Sequence, residues 1–506
     1  MKNKINIALS TFVFLLITSC SGFLDETPRH LWSVNEALTT RDKALHAVNG
    51  IYYRLCPGDN LNGALNLSYT SKSGIISFSA VEFDMTYTQT ASGVIAAPTW
   101  SSLFSVINAA NLAINGIPDI PESAFPDPKE KTQLIAEAKI LRAWMNAIQL
   151  WNYAYWHAQD DSPYGIIYRP EVTNAQNASM PRVTVGESYE YIFNDLDEGI
   201  AAMPAFNTNK KVSALFGKAL KAKILLNRGV VRNSTDDLQK ALSLVNELLN
   251  TDIPATPLKM EADMKETFAK SWDSNEHIFV RYLEDNANRT SNGGYWTTYG
   301  LAYNAYTNLN PQTGLPLTDP PPCGLRYGTD WIIPDPRYQI ATGLARKPET
   351  WDDTYCYTWT KIYRKGSIAG KQDPVDEKYA TYYLRLPELY IMQAELLART
   401  GATTAQAIAP INVMRSKRTF PLLPPLSVPA SQDELYEIIF REYVKELLLE
   451  NGAEFFASVR FQKDGHPYME IIKGGSFVME YERLQWPIPN AELLVNSLIE
   501  QNPLQK

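Results

Sequence analysis

Apolar residues recur at helical spacing through most of the chain beyond residue 100. One such face carries Trp100, Phe104, Ile107, Asn111 and Ile114. Another carries Leu134, Ala138, Leu141, Met145 and Ile148. Spacings of three and four residues place these side chains on one side of an α-helix. The pattern therefore predicts amphipathic helices that pack through these faces.

Boundary signals support further helices. Thr184 with Glu187, and Ser431 with Glu434, have the spacing of a capping box at a helix start. A helix is predicted from Ser213 to Asn227, ending at Gly229 as its C′ residue. Later helices follow at 386–399 and 404–418. Successive pairs about 35 to 45 residues apart suggest a scaffold of tetratricopeptide-like repeats.

Residues 281–375 break this pattern. They contain Gly293-Gly294 and Pro320-Pro321-Pro322, and helical periodicity is lost. Glycine and proline clusters are typical of loops and turns, and long loops in a compact protein are usually functional or disordered. High aromatic content argues against disorder. We expect a loop-rich lobe between two helical parts.

The aromatic residues of this lobe are unusual. Between residues 282 and 363 there are fourteen, and none is Phe. Tyr and Trp combine a flat ring with a polar group, as a surface that stacks on a polar ligand requires. The predicted ligand-binding residues are Tyr295, Trp296, Tyr299 and Trp331, with help from Tyr69 and Tyr87 in the polar stretch before Trp100. We also expect that about half of the fourteen rings only pack the lobe and do not contact a ligand.

Charge excludes one class of partner. The 506 residues carry a net charge of −8, so the chain lacks the basic footprint of a nucleic-acid-binding protein. The hydrophobic content of 45% is ordinary for a soluble globular protein.

The N-terminus has the layout of a secretory signal. Lys2 and Lys4 precede the uncharged stretch 5–17, and Ile17-Thr18-Ser19-Cys20 follows. Small residues before a single Cys match the lipobox of bacterial lipoproteins. Residues 1–19 are therefore predicted to be a signal peptide, and Cys20 the acylated first residue of the mature protein. Ser21 after the Cys favours the outer membrane over the inner one.

Three cysteines remain after Cys20, namely Cys56, Cys323 and Cys356. An odd number in an oxidising compartment permits at most one disulfide. A Cys323–Cys356 bridge would link the loop-rich lobe, and free buried thiols are equally compatible with the sequence.

Motifs of catalysis are missing. The sequence contains no G-x-G-x-x-G, phosphate loop or G-x-S-x-G elbow. The five histidines lie far apart, and the adjacent pairs Asp160-Asp161 and Asp352-Asp353 do not favour a glycosidase geometry. We expect no enzyme, no cofactor and no metal, and no EF-hand spacing supports a structural Ca²⁺ ion.

Short motifs follow one another along the chain. In order they are Cys20-Ser21-Gly22-Phe23-Leu24-Asp25, Trp100 with Ala110-Asn111, Glu137-Ala138-Lys139 with Leu141-Arg142-Ala143, Pro181-Arg182, Asp335-Pro336-Arg337, Leu384-Arg385 with Glu388, and Trp486-Pro487-Ile488-Pro489 with Gln501-Asn502-Pro503. Each is short, but their order covers nearly the whole chain, and together they resemble the SusD/RagB family of outer-membrane lipoproteins. Glu137, Arg142, Arg385 and Glu388 lie beside apolar helix faces, so we interpret them as buried structural ion-pair residues.

One motif departs from the family. The family's Glu-Gly-Arg…Asp-Leu-Arg helix is represented by Glu450-Asn451-Gly452, with an inserted Asn and without the following Arg and Asp. Arg460 is the candidate for the final Arg.

The resemblance implies a mainly α, SusD-like fold in one domain over 20–506. Its parts would be helical at 20–280, loop-rich at 281–375 and helical at 376–506. It also implies a protein facing the cell exterior, anchored through acyl chains, that binds an oligosaccharide without catalysis. The expected partner is a SusC-type TonB-dependent outer-membrane barrel. Peptide binding, as in RagB-like members, a surface glycoside hydrolase, and a purely structural repeat scaffold are the alternatives.

Overall fold

The computed structural model describes residues 38–55, 61, 63–76, 86–250, 257–281, 307–310, 313–315, 322–346, 355–362 and 380–503. The predicted signal peptide, Cys20, Tyr295, Trp296 and Tyr299 lie outside these residues.

Helices dominate the described part of the chain. They are α1 (Arg41–Leu55), α2 (Gly63–Ser73), α3 (Ala96–Gly116), α4 (Glu130–Tyr153), α5 (Val185–Ala202), α6 (Ala214–Val231), α7 (Thr235–Leu249), α8 (Met264–Lys270), α9 (Thr329–Ile332), α10 (Pro336–Ala341), α11 (Leu386–Arg399), α12 (Thr404–Arg415), α13 (Gln432–Leu447), α14 (Ala453–Arg460), α15 (Tyr468–Lys473) and α16 (Asn490–Val495). The fold is mainly α, as predicted.

Neighbouring helices in sequence are neighbours in space. Helix α3 packs on α1 and α4, and the array continues through α5, α6 and α7. Helix α7 then contacts α11, which packs on α12 and α13. One hydrophobic core runs through the array, from Ala44 on α1 to Trp486 near the C-terminus. Among the described residues, no helix is long and apolar enough to cross a membrane.

Strands are short and join distant segments. The strands are β1 (His277–Arg281), β2 (Thr307–Asn308), β3 (Gly343–Arg346), β4 (Tyr355–Thr358), β5 (Thr381–Arg385), β6 (Gln462–Lys463) and β7 (His466–Pro467). Strands β1 and β5 pair antiparallel, with His277 opposite Arg385. Strands β2, β4 and β3 form a sheet in that order, and β6 and β7 form a hairpin.

Helix boundaries follow the predictions with three differences, one of which is that α12 ends at Arg415 and not at residue 418. Thr184 and Glu187 form the predicted capping box of α5. The Ser431 hydroxyl caps α13, but the Glu434 carboxylate accepts from the amide of Ala430 and not from that of Ser431. Helix α6 continues to Val231, so Gly229 lies inside it. A Cβ at Gly229 would come within 3.0 Å of Leu238, so this glycine permits close packing of α6 and α7.

Among the described residues, Cys323 and Cys356 are both buried, and no disulfide joins them. The Cys323 thiol donates weakly to the carbonyl of Tyr357 at 3.8 Å, and burial raises its pKa to about 12. The structure thus favours the free-thiol alternative over the disulfide.

Candidate functional site

Two half-buried aromatic residues of the described lobe, Tyr327 and Trp331, lie at α9. We call Tyr327, Asp330, Trp331, Arg441 and Lys463 the Trp331 face. Tyr327 and Trp331 are half-buried, and Asp330 is exposed. Asp330, Arg441 and Lys463 all act electrostatically on the Tyr327 phenol, so the five side chains share one neighbourhood.

A glycine shapes the base of this face. Gly328 precedes α9 with φ of +70°, in the left-handed region. A Cβ there would lie 2.5 Å from the Trp331 ring. Only glycine satisfies both conditions without strain. The Trp331 ring folds back over this glycine and meets Tyr327 edge to face, with ring centroids 6.1 Å apart.

Cations of α13 support the Trp331 ring. The Arg441 guanidinium carbon lies 5.2 Å from the ring centroid, and Lys445 Nζ lies 5.7 Å from it. Both distances fit cation–π attraction. Glu437 binds Arg441 and, at 3.0 Å, Lys463, which fixes the two cations relative to each other.

Polar groups of the two rings remain available. Within the part of the chain that the structure describes, the Trp331 indole N–H and the Tyr327 hydroxyl have no hydrogen-bond partner, and neither atom is fully buried. Burial raises the pKa of the Tyr327 phenol, so it stays protonated and can donate. The face therefore offers two aromatic edges with free donors beside charged groups.

Asp335-Pro336-Arg337 fastens this segment to the scaffold. Asp335 caps α10 by accepting from the Arg337 amide, and its carboxylate binds the Arg337 guanidinium at 2.9 Å. Arg337 also reaches Glu442 at 2.8 Å and is fully buried. Lys445 bonds the same Asp335 at 3.4 Å while supporting Trp331. Buried, hydrogen-bonded charges fix geometry, so α10, which directly follows α9, is held firmly on α13.

A larger ion network continues into the core. Glu442 and Glu446 lie one turn apart on α13, and Glu450 follows its end. Arg385 binds Glu446 at 3.3 Å and Glu450 at 2.7 Å. It also binds Glu276 at 3.0 Å, next to β1. These carboxylates are occupied by cations and are structural.

The interpretation of the family-motif charges is confirmed. Arg142 makes a two-pronged bond with Asp195, with both contacts at 2.7 Å. Glu388 pairs with Lys223 at 2.7 Å. Glu137 pairs with Lys211 at 3.3 Å and accepts from the Tyr52 hydroxyl at 2.6 Å.

Arg460 also has a structural partner. It binds Glu395 through two contacts, at 2.9 and 2.7 Å. Together with Arg399 it lowers the pKa of that buried carboxyl to about 2.

Tyr69 does not fit the predicted role. Its side chain is only 2% exposed. The ring stacks on Phe455 with centroids 5.5 Å apart, and the hydroxyl accepts from Asn152 at 2.7 Å. Every residue of α2 is buried, so its polar side chains face the interior and not a ligand. This expectation is corrected: Tyr69 is a core residue.

Tyr87 is half-buried and lies elsewhere than Trp331. Its ring stacks on Phe477 with centroids 5.7 Å apart, and Lys473 Nζ lies 4.6 Å from it. Its hydroxyl donates to the carbonyl of Lys72 at 2.8 Å. Among the described residues, no contact joins Tyr87 to the Trp331 face.

Sequence reasoning missed Arg441 and Lys463. Glu437, Arg441 and Lys445 follow one another at four-residue intervals, which marks a charged stripe on α13. The stripe was readable, but its contact with Trp331 spans more than a hundred residues of sequence. In the described chain, no cluster of three or more His, Cys, Asp or Glu could hold a metal ion.

Two family models match the chain. The SusD family model matches residues 337–504. A second model, described as starch-binding associating with outer membrane, matches residues 23–224. The chain belongs to the SusD/RagB family.

Curated and solved relatives agree. A SusD-like protein of Formosa agariphila is 24% identical over 436 residues, covering 80% of this chain and 78% of the relative. A SusD superfamily structure from Bacteroides thetaiotaomicron has a TM-score of 0.69 at 18% identity and covers 92% of this chain and all of its own. A laminarin-binding SusD-like protein has a TM-score of 0.65 at 19% identity, covering 92% of this chain and 99% of its own. The structures establish a SusD-like fold.

Proposed function

We propose that this chain is a non-catalytic, surface-exposed receptor that binds an oligosaccharide. The observation that carries the proposal is the Phe-free aromatic stretch 282–363, in a chain that belongs to the SusD/RagB family. One matching family model is described as starch-binding, and one similar structure is a laminarin-binding protein.

The chemistry of the Trp331 face suits a sugar. A sugar ring has an apolar C–H face and a rim of hydroxyls, so it needs a flat ring with polar groups at its edge. The Trp331 indole N–H and Tyr327 hydroxyl are donors, and Asp330 is an exposed acceptor. Arg441 and Lys463 add charged donors.

Further ligand contacts are proposed at Tyr295, Trp296 and Tyr299, which belong to the same stretch. Tyr87 keeps an accessory role in the proposal, and Tyr69 is dropped because it is buried.

A calorimetric panel tests the ligand class. Acyl-free protein would be titrated with starch-type and laminarin-type oligosaccharides, charged glycans and oligopeptides. We expect saturable binding of one glycan class and none of the peptides. Saturable peptide binding with no response to any glycan would favour the RagB-like alternative and overturn the proposal.

The anchor is proposed to be the acylated Cys20, since small residues precede this Cys after an uncharged stretch. Cys20→Ala should release the protein from outer-membrane fractions into the soluble fraction. Retention of the variant in the outer-membrane fraction, in cells without a partner barrel, would contradict lipid anchoring.

The receptor is proposed to deliver its ligand to a SusC-type TonB-dependent barrel, a partnership that rests on family membership alone. Mild detergent extraction should co-purify such a barrel with this chain. An exhaustive pull-down under inducing conditions without a barrel would count against delivery while leaving glycan binding intact.

A further inference from the structure

Glu454 is a buried carboxyl group at the start of α14. Its side chain reaches across to α2, where the Thr70 hydroxyl donates to Oε1. Oε1 also accepts from the amide of Leu449 at 3.3 Å. Oε2 is fully buried and has no hydrogen-bond partner in the described structure. Within the described residues, Glu454 therefore has no hydrogen-bond partner for Oε2 and no cation bonded to its carboxyl group.

Its neighbour in sequence shows the contrast. Glu450 is bound by Arg385 at 2.7 Å and by Lys361 at 2.8 Å. Lys361 is near enough to attract the Glu454 carboxylate electrostatically, but its ammonium group is hydrogen-bonded to Glu450. Burying a charge without a bonded cation is costly. Burial accordingly raises the pKa of Glu454 to about 7, against the hydrogen bonds that favour its ionised form.

The elements that pack on or border α14 carry charged and titratable groups. They are Tyr69 and Lys72 on α2, Lys223 on α6, Lys361 after β4, Glu446 on α13, Glu450 in the turn, Arg460 on α14, His466 on β7, and Tyr468, Glu470 and Lys473 on α15. Among these groups as described, none is within hydrogen-bond distance of the Glu454 carboxyl.

The turn before α14 is conformationally demanding. Leu449, Asn451 and Gly452 have φ of +69°, +48° and +66°. Left-handed backbone is unfavourable for Leu, and such strain persists only where surroundings hold it. A Cβ at Gly452 would lie 2.7 Å from the Tyr69 ring, so α2 and this turn are in close contact. Glu454 bonds both the turn, through Leu449, and α2, through Thr70.

Helix α2 leads directly to the Trp331 face. Ile76, just after the helix, forms a β-bridge with Leu325. The amide of Arg326 donates to the carbonyl of Ile75 at 2.8 Å. The segment that begins the face is thus attached to the end of α2, which Glu454 attaches to α14.

We propose that Glu454 is a proton-dependent latch between α2 and α14. As the pH falls below neutral, its carboxyl becomes protonated and the contact between the two helices is strengthened, and with it the attachment of the Trp331 face. The consequence for ligand retention rests on the proposed function, whereas the latch itself does not.

The direction follows from proton linkage. The closed contact holds the Glu454 proton with a pKa of about 7, whereas an opened, solvated carboxyl has its ordinary value of about 4.5. The closed form gains stability as the pH falls from 7 to 4.5. Opening of the contact between α2 and α14 becomes up to about tenfold less frequent per pH unit as the pH falls through that window. Above pH 7, opening does not depend on Glu454.

Hydrogen exchange tests the latch without any ligand. Protection factors for 63–73 and 453–460 would be measured at pH 5, 6, 7 and 8, after correction for intrinsic exchange. Wild-type protection should rise on acidification from pH 7 to 5 and stay flat from 7 to 8. Glu454→Gln keeps an acceptor for Thr70 but cannot titrate, so its protection should not change. Glu190→Gln, at an exposed position on α5, is the matched control and should behave as wild type.

Wild-type protection that is flat between pH 5 and 7 would overturn the latch, even if the variant fails to fold. An equal rise in wild type and Glu454→Gln would overturn it as well. Ligand affinity measured over the same range separates the two proposals: no glycan binding at any pH contradicts the function, and a pH-independent affinity with pH-dependent exchange contradicts only the link to the face.

Discussion

Two tryptophans from the same aromatic stretch have opposite environments. Trp359 follows β4, is 2% exposed, and donates its indole N–H to the carbonyl of Cys323 at 3.0 Å. Trp331 on α9 is half-buried, and within the described residues its N–H has no partner. Composition alone marks both as candidate binding residues, but only Trp331 retains unused hydrogen-bonding capacity. The difference teaches that a buried ring with a satisfied N–H stabilises the fold, while a half-buried ring with an unused N–H is available to a ligand.

The comparison extends to arginines, where the largest effect is expected. Arg385 bonds three buried carboxylates, whereas Arg441 lies at the surface with Glu437. Arg385→Met should cost about 3–5 kcal/mol, because it leaves buried charges without a partner. Arg441→Met should cost at most about 1 kcal/mol, as exposed pairs do. Denaturant titration measures both, and similar losses would break the distinction.

Trp359→Ala should be almost as damaging. The indole packs edge to face on Tyr338, with centroids 5.3 Å apart. Truncation of a buried Trp costs about 3–5 kcal/mol through lost contacts and a cavity. Affinity of the folded fraction should stay near that of wild type. A stable Trp359→Ala protein with lost ligand affinity would reverse the two roles.

His277 sharpens the comparison through pH. Burial, helped by the neighbouring Arg385, lowers its pKa to about 4. The folded state therefore binds fewer protons than the unfolded state between pH 6.5 and 4, and stability is lost as the pH falls through that window. The loss is at most about 3 kcal/mol.

The matched variant is His277→Gln, whose amide can still donate to the Ser271 carbonyl, the present partner at 2.7 Å. Protonation of Glu454 raises stability as the pH falls over part of this range, which opposes the effect of His277. The protein with His277 and the protein with His277→Gln should therefore both carry Glu454→Gln. The free energy of unfolding should then decrease more between pH 7 and pH 4.5 for the protein that retains His277 than for the protein with His277→Gln. Equal losses would exclude His277 as an acid-sensitive group.

Periodicity predicted the helical scaffold because each helix buries a regular face, as Leu134 to Ile148 show on α4. The fold class and the structural charges were predicted correctly. Tyr69 was misplaced because a short polar stretch looks the same whether it lines a ligand site or packs inside. Arg441 was missed because its contact with Trp331 depends on how distant helices pack, which local spacing does not encode.

The most direct test of the account is the double readout of Trp331→Ala, with Tyr53→Ala as a control at an exposed ring on α1. Calorimetric affinity for the glycan found in the panel and the free energy of unfolding would be measured on both variants and wild type. We predict at least about a tenfold loss of affinity for Trp331→Ala, consistent with roughly 1–2 kcal/mol for a lost stacking contact and donor. Its stability should fall by less than the roughly 3–5 kcal/mol of a buried Trp. Unchanged affinity together with a core-sized loss of stability would place Trp331 in the scaffold and contradict the proposed binding face.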